Sequence, residues 1–333
     1  MIKILDCTLR DGGYVNDWDF SRESYDHIIL ELQKAGIDFV EVGLIGKGKG
    51  ERFSTKFASM EDIPPIVRVK DTKTQFAVMV TYGEALGIPI APRKSDGVEI
   101  IRLAYFKPEA DVALKMAKEL KEKGYIVFLQ AMATFLYTDD ELLAMVDKVN
   151  KVQPYFFCMV DSFGTMYADD VSAMYHLIHG QLDNSIGLGL HAHNNQQLAL
   201  SNAITFISEA EKTNRSVCVD ASIYGMGRGA GNVNLELLMQ YFNKKRGAHY
   251  KPEDVVQLWK TELSEEYHKN YWGYTWEYLL AAKYDVNSVY IWYLKRHNVT
   301  EPNKVEEILR NLPYEVRYTL DKATIDALIA KYV

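Results

Sequence analysis

His191 and His193 sit one residue apart in Leu190-His191-Ala192-His193-Asn194-Asn195, closing the apolar, β-prone run 185–190. Side chains two apart on a strand project to the same face, so both imidazoles emerge together. Paired imidazoles make half of a metal site; they suit Zn, Fe, Ni or Mn, and an oxygen ligand from elsewhere must complete the set. Asp11, far upstream in Thr8-Leu9-Arg10-Asp11-Gly12, is the candidate for that oxygen. Taken alone, the pair fits equally well one core histidine beside one surface histidine, because histidine is intermediate in burial. What decides between the two readings is whether the chain brings residue 11 to residues 191 and 193.

The elements that would do so are legible as alternation. Short runs rich in Val, Ile and Leu occur at 2–8, 39–44, 75–81, 98–104, 126–131, 155–161, 186–191 and 217–224. Helical periodicity fills most of the intervals, at 21–36, 108–124, 138–152, 168–179, 196–210 and 234–243, with Ser21 and Gly36 as start and stop of the first. The repeat of about 30 residues is the length of a βα unit, and near-continuous apolar strands are those covered on both faces. Eight such units predict an α/β fold, a closed TIM (β/α)8 barrel in which the last strand returns to the first. An open doubly wound sheet is the alternative, but its Gly-x-Gly-x-x-Gly is absent after the first strand. The stretch Gly46-Lys47-Gly48-Lys49-Gly50 lacks the Ser/Thr and spacing of a phosphate loop and reads as solvated.

Beyond Gly247 the strands stop. Helical patterns at 252–268, 276–283, 286–297, 304–312 and 322–332 predict an all-helical C-terminal segment, with domains at 1–248 (catalytic barrel) and 249–333. This segment is rich in aromatics, among them Trp259, Tyr267, Trp272, Tyr290 and Trp292, which read as a bundle core, with a cap over the barrel or a subunit contact as the alternative. The 333 residues carry a net charge of −7, which argues against a nucleic-acid partner. No window approaches a membrane span and the N-terminus lacks the pattern of a secretory signal, so a cytoplasmic location is expected. Cys7, Cys158 and Cys218 each lie inside an apolar run and read as small core residues.

Barrel sites are built at the carboxyl ends of the strands. The polar residues there are Arg10, Asp11, Glu41, Arg102, Gln130, Asp161, Ser162, His191, His193, Arg228 and Asn232. Closure makes the seventh, eighth and first strands neighbours, grouping His191, His193, Asn232 and Asp11 as two nitrogens and two oxygens around one point. Mn2+ fits this set best, with Mg2+ and Zn2+ as alternatives. Open positions on such an ion would chelate a 2-oxo acid and stabilise its enolate. Arg10 stands ready to share that charge, or to pair with Glu41 at the rim. Arg102 and Gln130 are candidate substrate-binding residues.

Three motifs in order, Thr8-Leu9-Arg10-Asp11-Gly12, His191-Ala192-His193-Asn194 and Gly227-Arg228-Gly229-Ala230-Gly231-Asn232, resemble those of the pyruvate carboxyltransferase-like, or DRE-TIM metallolyase, superfamily. Its members include 4-hydroxy-2-oxovalerate aldolase, hydroxymethylglutaryl-CoA lyase and the isopropylmalate and homocitrate synthases, and the aldolase type is the most similar. The resemblance spans residues 1 to about 245 and implies a TIM barrel with a divalent metal on Asp11, His191 and His193. It further implies Asn232 as a fourth ligand, Arg10 as the enolate-stabilising arginine, Glu41 as a glutamate near the metal, and Ser162 as a hydroxyl that binds a substrate carboxylate. Where the aldolase branch has its general-base histidine, this chain has Tyr14. A phenol with a pKa near 10 is a poor base, so Tyr14 is read as a proton-relaying acid or as packing against substrate.

Three functions stay open on these grounds. The first is a metal-dependent aldolase-type lyase acting on a 2-oxo acid and an aldehyde, a homo-oligomer with a partner dehydrogenase. The second is an acetyl-CoA-dependent Claisen condensing enzyme, with Lys47, Lys49 and Arg52 near a CoA phosphate. The third is a metal-binding scaffold without catalysis whose aromatic tail docks a partner.

Overall fold

The computed structural model describes residues 1–48 and 53–333. Lys49, Gly50 and Arg52, and with them most of the proposed CoA contact, lie outside the described residues. The strands are β1 (Ile2–Asp6), β2 (Phe39–Ile45), β3 (Lys56–Phe57), β4 (Gln75–Thr81), β5 (Ile100–Tyr105), β6 (Ile126–Ala131), β7 (Phe156–Asp161), β8 (Gly187–Ala192) and β9 (Val217–Ala221). All named pairings are parallel, and β1 pairs with both β9 and β2, so eight strands close into a barrel. This is the TIM barrel the alternation predicts. The two-residue β3 adds to β2 outside that ring and is too short to leave a periodic signal.

The covering helices follow local rules. Ser21 caps the helix Arg22–Lys34 by accepting from Ser24 N. Thr138 and Glu141 form a reciprocal capping box at the start of Asp139–Val152, satisfying two otherwise unpaired donors.

Inside the barrel, period-two alternation stacks the inward side chains in layers. The lowest is an apolar plug in which Phe39, Phe128 and Phe156 meet edge to face, with ring centroids 4.9 Å apart for Phe128 and Phe156. Two residues further along the same rows come Glu41, Arg102, Gln130 and Cys158, with Asp220 from β9. His191 crowns the corresponding row of β8. The plug therefore seals the barrel from below, and everything polar is confined above it. All three cysteines are free and buried.

The first strand ends earlier than its apolar run suggests. Asp6 turns the chain by accepting from Thr8 N (3.0 Å) and Thr8 Oγ1 (2.8 Å), and Thr8 opens a short helix, Thr8–Asp11, instead of extending β1. The eighth run likewise stops at Ala221, where Ser222 and a 3-10 turn take over.

After the barrel come Pro252–Leu258, a π-helical turn at Trp259–Leu263 that interrupts the helix expected at 252–268, then Ser264–Lys269, Trp276–Lys283, Val289–Arg296, Pro302–Asn311 and Lys322–Tyr332. Val255, Leu258, Leu263 and Trp272 pack into the barrel's own core cluster, whereas a separate cluster around Tyr290, Leu294 and Ile308 holds the later helices together. These helices meet the barrel at its carboxyl-end loops: Trp272 Nε1 donates to Tyr224 O (2.9 Å) and Tyr318 packs on Phe106. Among the described residues no helix is long and apolar enough to cross a membrane.

Phe128→Ala should lower unfolding free energy by about 3–5 kcal/mol, read from the denaturant midpoint, because the plug cannot collapse around the lost ring. Burial, opposed by the Thr8 hydrogen bonds, raises the Asp6 carboxyl to about 7. A folded-state pKa above the unfolded value gives stability that is present below about pH 4 and lost as pH rises through 7. Wild-type stability should therefore fall relative to Asp6→Asn, by on the order of a few kcal/mol, between about pH 4 and pH 8; a constant difference across that range would refute the buried-acid assignment.

Candidate active site

The helix Thr8–Asp11 stands on the end of β1 and is pinned from two sides: Trp18 Nε1 donates to Arg10 O (2.8 Å), and Thr55 Oγ1 donates to Leu9 O (2.7 Å). Opposite, His191 ends its inward row on β8 and His193 follows it off the strand, their rings nearly perpendicular with centroids 5.0 Å apart. One ligand atom from each of Asp11, His191 and His193 lies within 4.8 Å of the others, and all three residues are buried. Barrel closure has thus brought residue 11 to the paired imidazoles.

Each ring is oriented by its Nδ1. His191 Nδ1 meets Asp220 Oδ2 at 2.9 Å, and His193 Nδ1 lies 3.2 Å from Gly231 O, which can only accept. The Nε2 atoms are the ones left for a ligand, the arrangement in which carboxylates and carbonyls commonly support metal-binding histidines. Burial, only partly opposed by the Asp11 charge, lowers His193 to about 3, so its imidazole is neutral at ordinary pH, the form that can ligate. Burial works against ionising Asp11, but Arg10 first and then His193, His191 and Arg228 outweigh it and hold the carboxyl well below its usual range.

Beneath the ligands runs an unbroken chain of buried ion pairs that ends on a hydrogen-bonded imidazole. Asp11 pairs with Arg10, whose Nε reaches Glu41 Oε2 at 2.7 Å; Arg102 Nη1 reaches the same oxygen at 2.7 Å; Arg102 pairs with Asp220, which holds His191. The chain begins at one candidate ligand and ends at another.

Asn232 joins the group through an antiparallel bridge to His193, and its Nδ2 donates to Asp11 Oδ2 at 2.9 Å. Its Oδ1 is buried with no partner among the described residues. An orphaned acceptor beside a carboxylate and two imidazoles is what a cation would satisfy, so the donor set fits a divalent metal. The approach requires glycine at 227, where a Cβ would lie 2.2 Å from Asn232 Nδ2 and 2.6 Å from Asp11 Oδ2.

A cavity of about 50 Å³ opens above these atoms, and Arg10, Asp11, Tyr14, Gln130, Ser162, His191, His193 and Arg228 all contribute to its wall. Ser162 Oγ accepts from Ala133 N (2.9 Å) and Gln130 Nε2 donates to Cys158 Sγ (2.9 Å). Tyr14 stands at the mouth, nearly half exposed, with its edge on Trp18. The protein packed around its phenol nevertheless raises the pKa, outweighing the opposing Arg228 charge, so the hydroxyl is a donor near neutral pH.

Two expected site residues are elsewhere. Arg102, read as substrate-binding, lies fully buried beneath the cavity with its guanidinium committed to Glu41 and Asp220, and Glu41 is not part of the wall but bridges Arg10 and Arg102. The residue missed altogether is Asp220. Its signal was a lone acid in the apolar run Val217-Cys218-Val219-Asp220-Ala221, since a buried carboxylate must be paired. Arg228, collected with the strand-end residues but given no role, is part of the wall.

The HMGL-like family model matches residues 1–263. A 4-hydroxy-2-oxovalerate aldolase from Geobacillus genomosp. 3 is 28% identical over 245 residues, covering 73% of this chain and 71% of that protein. An oxaloacetate decarboxylase from Mycobacterium tuberculosis is 24% identical over 275 residues, 79% of this chain and 75% of that protein. Among solved structures, the N-terminal domain of a Bacteroides vulgatus protein provisionally assigned as an aldolase superposes with a TM-score of 0.72 at 29% identity, covering 89% of this chain and 98% of that one.

His191→Ala should abolish uptake of Mn2+ in a calorimetric titration while leaving the circular dichroism of the barrel intact. Asp220→Asn, which keeps the shape but loses the charge behind His191, should weaken metal affinity about 10–100-fold. Wild-type affinity in both variants would contradict the ligand assignment.

Proposed function

The chain belongs to the HMGL-like family, and from that membership we propose that it is a divalent-metal-dependent aldolase-type lyase, making or breaking a carbon-carbon bond beside the enolate of a pyruvate-like 2-oxo acid. The observation that carries this reading is the convergence of Asp11, His191 and His193 within 4.8 Å, with Arg10 directly beside them in the cavity wall. The names of the similar aldolases and of the decarboxylase, all acting on 2-oxo acids, support the same chemistry. They also weigh against a scaffold without catalysis.

Asp11, His191 and His193 would hold the ion, with Asn232 Oδ1 as a fourth donor. Two imidazoles with hard oxygens favour Mn2+, with Mg2+ or Zn2+ as substitutes. When bound, the cation supplies Lewis acidity to the carbonyl of the 2-oxo acid. Arg10 shares the negative charge that grows on the enolate oxygen, and it does so from a fixed position because Glu41 holds its Nε. Tyr14, protonated and at the mouth, gives its proton to the aldehyde oxygen as the new bond forms, and the proton that leaves C3 of the 2-oxo acid on enolate formation restores the phenol through solvent. Ser162 and Gln130 orient the carboxylate end of the substrate. Catalysis is assigned to residues 1–248, with the helices of 249–333 walling the carboxyl-end loops. A homo-oligomer in the cytoplasm, working beside a dehydrogenase, completes the reading on the strength of the resemblance to the aldolase branch.

In D2O with Mn2+ and pyruvate, the protein should exchange the methyl protons of pyruvate, followed by proton NMR; no exchange with any divalent metal would overturn the reading. Arg10→Ala should slow exchange about 10²–10³-fold, the usual cost of one lost donor to a developing oxyanion.

A further inference from the structure

The cations of the site are not equivalent. Arg10 is neutralised by Asp11 and Glu41, and Arg102 by Glu41 and Asp220. Arg228 is different: among the described residues no carboxylate lies within ion-pair distance of its guanidinium. Its Nη2 donates to Ser162 O (3.0 Å) and approaches His193 Nε2 (3.3 Å), its guanidinium lies 5.7 Å from the centre of the Tyr14 ring, and its Nε is buried without a partner among the described residues. A histidine that ligates through Nε2 can no longer accept from Arg228, which releases one more donor. A guanidinium with no ion-pair partner among the described residues and a buried, unsatisfied N–H inside a catalytic cavity is a receptor for an anion.

Its placement is built, not incidental. The backbone N of Arg228 donates to Asp11 Oδ2 at 3.2 Å, tying the residue to the candidate metal centre. The next residue, Gly229, has φ +67°, and a Cβ there would fall 2.6 Å from Asn195 Oδ1, which holds Ala230 N at 2.9 Å. Ser288 of the helical segment backs the same glycine. The loop therefore has one path, and that path delivers the guanidinium over the cavity beside Tyr14.

We propose that Arg228 binds a second carboxylate, so that the substrate is a 2-oxo dicarboxylic acid whose far end carries a negative charge. The inference rests on the metal-dependent reading of the site and adds to it the class of substrate. The 2-oxo end belongs at Asp11, His191 and His193; the distal carboxylate meets the Nε edge of Arg228, where the planar donors match its two oxygens. Tyr14, stacked under the guanidinium, fixes its plane. Arg228 is a specificity-determining residue on this account.

The test uses the full chain loaded with Mn2+ and two five-carbon acids that differ only at the far end, 2-oxoglutarate and 2-oxopentanoate, titrated calorimetrically. Wild type should bind the dicarboxylate about 10–100-fold more tightly, the worth of one charge-assisted hydrogen-bonded pair. Arg228→Gln should bring that ratio near one, and Arg228→Lys, which keeps the charge but loses the fork, should leave an intermediate ratio; melting curves of both variants confirm that they are folded. Equal affinities in wild type, or a preference that survives Arg228→Gln, would overturn the proposal. So would binding of inorganic phosphate in competition with pyruvate without discrimination between the two acids, which would point to a phosphorylated substrate. Pyruvate exchange in wild type keeps the two readings apart: exchange without the preference rejects only the dicarboxylate, whereas absence of both exchange and binding rejects the metal-dependent reading beneath it.

Discussion

The buried series Asp11, Arg10, Glu41, Arg102, Asp220, His191 is the constraint on which the rest of the site depends. Three carboxylates and two guanidiniums have been removed from water, at a desolvation cost that ordinary ion pairing repays only when geometry is good and the remaining polar atoms find partners. Here one Glu41 oxygen serves two arginines and each arginine serves two acids, but Glu41 Oε1 and Arg102 Nε stay buried without a partner among the described residues. Such a chain is weak evidence for stability. It does restrict the two ends: the Asp11 carboxylate cannot turn without breaking its ion pair with Arg10, nor the His191 ring without breaking its hydrogen bond to Asp220, so the spacing between two ligand groups is set before any ion arrives.

The barrel's layering makes that chain affordable. Phe39, Phe128 and Phe156 close the floor, so the pairs above it stand on an apolar layer. The same alternation that buries these rings puts Glu41, Arg102 and Asp220 at the next level and His191 above them. At the rim the regular structure gives way on purpose: Asp6 stops β1 so that Arg10 and Asp11 leave on a helical turn, and Gly227 lets Asn232 and Asp11 approach more closely than a side chain would permit.

Much of this was readable in the chain. Apolar runs recurring at the length of a βα unit gave the barrel, and two histidines in step with the strand period gave the metal pair, because both signals are local. Depth was not readable. Arg102 stands in an inward position of β5, and periodicity says which face a side chain takes but not whether it reaches the cavity or is consumed below it; only its partners, Glu41 and Asp220, separated from it by 61 and 118 residues, decide that. Asp220 is hard to read from sequence for the mirror reason, since one acid in a five-residue apolar strand reads as an exception until the histidine it supports is in view. The π-helical turn at Trp259–Leu263 and the two-residue β3 carry no pattern at all and arise from tertiary packing.

The charge layout also gives the cavity a direction. On the β1 side each cation is matched by an acid, so that wall offers orientation with little net field. On the loop side Arg228 has no ion-pair partner among the described residues, and its guanidinium lies 5.7 Å from the centre of the Tyr14 ring at the mouth. A 2-oxo acid entering such a site meets chelating groups at one end and, at the other, a guanidinium with no ion-pair partner among the described residues, with the phenol that can donate a proton beside it. Binding energy collected at the guanidinium is available to hold the reacting carbons in place, which is where energy from a remote group contributes to rate and not merely to affinity. Because the loop that carries Arg228 is backed by Ser288, the helical segment takes part in setting that distance, and the aromatic tail is tied to the chemistry through packing, without contributing any reacting group of its own.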